Sequence, residues 1–164
     1  MSCFNLGAQV PNFEIEDYYN STEPHDLLVR NQPLGAALAA MFSANSSEVN
    51  VSSISNGTDH TLVLQRGHGF TTLGPSIELA VFRAIYAQTN AQVQTEAITL
   101  ASLAGRAGQP DGGGRVKYLT ARERVDTQLS IEPTSNRPWQ LWVREVETYP
   151  GGLYVNVLGT PPGA

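Results

Sequence analysis

The apolar positions of this chain fall into a few distinct rhythms. Near the start, Val10, Phe13 and Ile15 alternate with polar residues, which predicts a short strand. Pro11 places that strand at a sheet edge or a strand end. Asn20 to Pro24 reads as a turn. Leu34, Leu38, Met41 and Phe42 then recur at three- and four-residue spacing with alanines between them. This predicts a short buried helix that starts near Asp26 or Asn31 and packs closely on a sheet. Residues 43–58, rich in Ser and Asn, read as a polar loop. His60 to Arg66 holds the unbroken β-prone run Leu62-Val63-Leu64 and is the clearest strand; Phe70 to Leu73 continues as its returning partner.

Between those strands Gly67 and Gly69 bracket His68, so the backbone there can adopt conformations closed to other residues. Gly74-Pro75-Ser76 opens a helix, with Glu78 favourable near its positive end. Ile77, Ala80, Val81, Ala84, Ile85, Gln88 and Ala91 are expected to form its buried face. No proline or glycine intervenes before Gly105, so the helix is expected to run about 25 residues, or ~38 Å. Its far end carries little charge, which suggests packing on a second subunit. Residues 105–114 are expected to form a flexible glycine-rich loop; a phosphate-binding loop would need a Lys-Ser/Thr pair that is absent. Thr120 and Glu123 have capping-box spacing. Trp139, Trp142, Val143 and Val146 favour a helix, with the tryptophans more suited to core or subunit contact than to stacking a ligand. Tyr149 to Leu158 ends in a strand-like alternation before a short tail.

Composition narrows the function classes. With 164 residues, 41% of them hydrophobic, the chain suits one domain over 1–164. Only 15% are charged, below the usual ~25%, which points either to a homo-oligomer that covers part of its surface or to a surface rich in Ser, Thr, Asn and Gln. The net charge of -5 and pI near 5.1 argue against nucleic-acid binding. No apolar run is long enough to span a membrane, the start does not read as a secretory signal, and the cytoplasm is the expected compartment. Cys3 stands alone, so neither a disulfide within the chain nor a thiolate metal cluster is available. The acidic group Glu14, Glu16 and Asp17 lacks calcium-loop spacing and reads as a solvated turn.

The most informative stretch is Arg66-Gly-His68-Gly-Phe-Thr-Thr-Leu-Gly-Pro-Ser-Ile-Glu-Leu-Ala. Together with Val10-Pro-Asn-Phe-Glu-Ile, Asp26-Leu-Leu-Val and Leu34-Gly-Ala-Ala-Leu-Ala, it resembles the class II aldolase/adducin family, and the segment from Asn136 to Glu147 resembles a fungal branch of it. The resemblance covers Val10 to about Leu103. It implies an α/β fold, an α/β/α three-layer sandwich around a mostly antiparallel sheet, commonly assembled as a homotetramer. It also implies zinc held by a His-x-His pair and a later histidine, to which His68 corresponds. Zinc in such a site polarises the enediolate oxygen during aldol cleavage and needs three protein ligands and an open position.

This sequence departs from that pattern at the ligands. It has no His-x-His, and its other histidines are His25 and His60. His60 precedes His68 by a strand that would separate them by roughly 26 Å. The part of the fold expected to carry the pair, an early glutamate and a phosphate-binding loop is absent, so the chain is expected to represent the later portion of the family fold. Three readings follow. In the first, the chain is an aldolase-like lyase on a small-molecule metabolite, with His68 as general acid/base, Arg66 holding an anionic substrate and Gly67 and Gly69 lining the site. In the second it is a non-catalytic, adducin-like assembly protein. In the third it is part of a zinc enzyme, with His68 a metal ligand and the other ligands outside this chain.

Overall fold

The computed structural model of the chain describes residues 10–43, 60–106, 116 and 118–151. Most of the loop expected over 43–58, the glycine-rich loop over 105–114 and the strand-like stretch after Tyr149 lies outside them. The described part is α/β, with four α-helices and a small mixed sheet.

The sheet has the order β1-β2-β3, built from Asn12–Phe13, Leu62–Gln65 and Gly69–Thr72. β1 runs parallel to β2, pairing Asn12 with Leu64 and Phe13 with Gln65. β2 and β3 are antiparallel, with Leu62 opposite Thr72 and Gln65 opposite Gly69. A mostly antiparallel sheet was the expectation; the described sheet has one pairing of each kind. β1 is an edge strand, as Pro11 requires, and the Pro11 carbonyl accepts from the Leu64 N–H at 2.9 Å. A 3-10 helix over Ile15–Tyr18 follows it directly.

Helix α1, Gln32–Ala40, starts at Asn31 rather than Asp26. The Asn31 side chain accepts from the Leu34 N–H at 2.9 Å, satisfying one of the free N–H groups of the first turn. Its apolar face meets the sheet in the core: Phe13, Ile15, Leu34, Phe42 and Val63 are buried together, with Leu38 and Met41 packed at the margin. Val63 is 0% exposed. On the opposite face, Thr72 donates to the Ala80 carbonyl at 3.1 Å and so ties β3 to the following helix.

That helix, α2, covers Ile77–Arg106, 30 residues. Its buried face is not the one that the aliphatic spacing suggests. Ile77 is 73% exposed and Ile85 is also exposed, whereas Phe82, Arg83 and Asn90 are buried. Aromatic area decides the orientation, because large rings bury more surface than the small aliphatic residues of the other stripe. Phe82 lies 4.6 Å from Tyr86, and both rings pack on Trp142 at 6.3 and 6.4 Å. Trp142 comes from α4, Asn136–Thr148, and is half-buried against these rings.

Arg83 is buried because its charge is met. Its Nε donates to Glu132 Oε1 at 2.8 Å, and Nη1 donates to the Leu73 carbonyl. The pair connects the end of β3 and α2 to the segment after helix α3, Ala121–Ile131. Helix α3 opens on the expected capping box, with Thr120 and Glu123 each bonded to the other's backbone N–H.

Candidate functional site

Three residues, Arg66, Gly67 and His68, connect β2 to β3. The His68 N–H donates to the Gln65 carbonyl at 3.1 Å, closing a turn over 65–68. Gly67 has φ +71° at the third position of this turn, where a left-handed backbone is required and glycine adopts it without steric cost. Gly69, at φ +144°, re-enters the sheet opposite Gln65. The two glycines therefore shape the backbone on either side of His68, as the sequence suggests.

The imidazole of His68 is exposed. Among the described residues its side chain has no hydrogen-bond partner, which leaves it open to an incoming molecule. Arg66 is held differently. The parallel pairing of β1 with β2 brings the chain after Phe13 alongside the turn, and the Arg66 N–H donates to the Phe13 carbonyl at 3.4 Å. The Arg66 guanidinium donates from Nε to Glu14 Oε2 and from Nη2 to Glu16 Oε2, the latter at 2.7 Å. Asn12 Nδ2 donates to the other oxygen of Glu14 and fixes it in turn. The hydrogen bond and charge of Glu14, then the charge of Glu16, raise the Arg66 pKa further above its ordinary value. Arg66 is a permanent cation whose charge is met by two carboxylates.

The acidic group near the start is therefore only partly a solvated turn, since Glu14 and Glu16 serve as the partners of Arg66. Sequence reasoning overlooked this role because the residues are some fifty positions apart and meet only through the β1–β2 pairing. The other histidines stand elsewhere. His25 stacks on Tyr19 with ring centroids 4.4 Å apart. His60 precedes β2, its N–H donating to the Phe42 carbonyl at 3.0 Å, while His68 follows that strand.

Zinc does not fit the residues described. Among them, no three His, Cys, Asp or Glu side chains converge into a set able to hold a metal ion. The carboxylates of Glu14 and Glu16, brought to the turn by the β1–β2 pairing, are engaged by Arg66. No described helix is long and apolar enough to cross a membrane.

Comparison with known proteins adds one informative relative. The chain is 43% identical over 152 residues to decarboxylase tropJ of Talaromyces stipitatus. The match takes in 93% of this chain and 53% of that protein, so the chain spans about half the length of this relative. Too few residues remain outside the match to exclude the β2–β3 hairpin. No family profile matches the chain, and no solved structure matches it.

Proposed function

We propose that this chain carries part of a carbon–carbon lyase acting on a small-molecule metabolite, built on a class II aldolase/adducin-like scaffold. The observation that carries the reading is the 43% identity to a protein named a decarboxylase over nearly the whole of this chain. Decarboxylation and aldol cleavage share their central demand. Each breaks a carbon–carbon bond and leaves the electron pair on a carbon beside a carbonyl group. The resulting enolate must then be protonated.

His68 has the placement for that proton transfer. The imidazole is exposed, and histidine is the side chain most often used as a general acid or base. For a β-keto acid, the bond to the carboxylate breaks, CO2 leaves and the electron pair enters the enolate. The imidazolium of His68 then delivers its proton to the α-carbon and becomes neutral imidazole. A positioned acid of this kind contributes about 100- to 10,000-fold. Arg66 serves here chiefly as a positioning residue: its guanidinium joins the turn to Glu14 and Glu16, leaving its remaining donor capacity for the rim of the site. Gly69 leaves open space beside His68, with no atom within 4 Å of where its side chain would start, so that a substrate can approach, while Gly67 supplies the left-handed position of the turn.

The scaffold proposal extends the fold. The packing of α1 on one sheet face and the tie from β3 to α2 on the other are compatible with an α/β/α sandwich of which this chain forms part of a single domain. Exposed Ile98, Leu100 and Leu103 on α2 support a homo-oligomer. The zinc of the family's aldolases would need ligands beyond the described residues of this chain. The hydrogen bond by which the His68 N–H closes the 65–68 turn supports a second reading, an adducin-like assembly protein in which His68 only shapes the turn. Incubation of wild-type and His68→Ala protein with β-keto acids and β-hydroxy ketones separates the two. CO2 or aldehyde release that falls in the variant supports the lyase; release unaffected by the variant rules out catalysis by His68.

A further inference from the structure

One residue of the described chain other than glycine has a left-handed backbone: Leu27, at φ +66°. A branched-chain residue pays a steric cost there, and such strain persists only where its surroundings fix it. Two contacts do so. The Leu27 N–H donates to the Tyr19 hydroxyl at 2.7 Å, and the Tyr19 ring is itself stacked on His25. On its other side, the Leu27 side chain reaches the hairpin turn: a methyl group placed on Gly67 would lie 3.1 Å from Leu27 Cδ1. Gly67 immediately precedes His68. Leu27 also packs with Tyr19 at the margin of the buried core, so the strained residue has a rigid support behind it.

From this chain of contacts we infer that Leu27, locked by the Tyr19 hydroxyl, is a positioning residue for His68: its side chain bears on Gly67 and restricts the turn to one conformation. Tyr19 acts through Leu27, and neither residue is assigned contact with a substrate. The catalytic value of this device rests on His68 being the proton-transfer group proposed above; the geometric coupling does not. A preset turn would present the imidazole in one orientation, which general acid catalysis needs because proton transfer falls off when donor and acceptor are misaligned.

Nuclear magnetic resonance of the full chain tests the coupling without any substrate. In the wild type, the Leu27 methyl protons are expected to show a cross-relaxation peak to the Gly67 α-protons; absence of that peak overturns the inference. Tyr19→Phe keeps the ring on His25 and removes only the hydroxyl. It is expected to move the amide signals of Gly67 and Gly69 and the ring signals of His68, and to speed exchange of the His68 N–H at least about tenfold. The signals of Val63, in the core strand, are expected to stay in place and so report an intact fold. Unchanged His68 signals and exchange in Tyr19→Phe would also overturn it. Once a substrate is in hand, Tyr19→Phe should lower kcat with KM nearly constant. If the resonance results hold while His68→Ala leaves turnover intact, the lyase role of His68 fails and the coupling stands.

Discussion

Gly74 lies where the chain leaves β3 and enters α2, and its backbone passes close to the next turn. A methyl group there would sit 2.6 Å from the Ala80 nitrogen and 3.0 Å from its Cα. Neither can yield as a flexible side-chain end would. Gly74→Ala is therefore expected to destabilise the chain by about 1–3 kcal/mol, as overpacking does, read from the urea midpoint. Arg83 sets a larger stake. Its guanidinium is 4% exposed, and Glu132 lies 2.7 Å from Nη2. Glu132→Ala would strand a buried cation and is expected to cost about 3–5 kcal/mol, with Arg83→Met in the same chain recovering part of the loss. A full, undiminished cost in the double variant would show that the pair contributes more than mutual neutralisation. At the turn, Arg66 and its carboxylates are exposed, so Glu14→Gln should barely change stability. Its effect belongs in the mobility of the 65–68 turn.

The elements show which signals were local and which were not. The Thr120–Glu123 box was legible because it needs only residues three apart, whereas the start of α1 stayed open between Asp26 and Asn31 until the Asn31 cap decided it. Thr120→Ala is expected to cost about 1 kcal/mol, measurable as a lower thermal midpoint. The turn glycines were legible for the same reason: a left-handed position selects a residue type. The orientation of α2 was not. Its aliphatic stripe is regular in sequence, but the aromatic seam with Trp142 and the Arg83–Glu132 pair join residues some fifty or sixty positions apart. Arg83 reads locally as a solvent marker, and only the fold reveals its partner. Leu27 gave no signal at all, since nothing in its neighbours dictates a left-handed leucine. At the start of α2, the Glu78 carboxylate accepts from its own backbone N–H and from Ser76, and its pKa is lowered. A carboxyl held below its unfolded value of about 4.3 contributes stability above that pH and loses it as pH falls through the folded value. The stability gap between wild type and Glu78→Gln should therefore be present at pH 7 and close in acid.

At the scale of the molecule, the described residues form a small mixed sheet with helices attached, and the relative named a decarboxylase is nearly twice as long as the matched region. Under the proposed function, this chain supplies the proton-transfer histidine and its turn. The exposed aliphatic residues of α2 are expected to lie in a subunit contact; Leu100→Glu should then lower the mass seen by sedimentation equilibrium, whereas a wild-type monomer would remove that expectation. What was legible at the hairpin was its backbone, with Gly67 and Gly69 at positive φ on either side of His68. The partners of Arg66 depended on strand pairing, and the ligand set of a zinc aldolase does not appear among the described residues. The most direct test of the proposed chemistry is CO2 release from a panel of β-keto acids by the purified chain, wild type against His68→Ala. Release by the wild type that drops at least about 100-fold in the variant is the expected result; equal release from the two proteins would contradict the role assigned to His68.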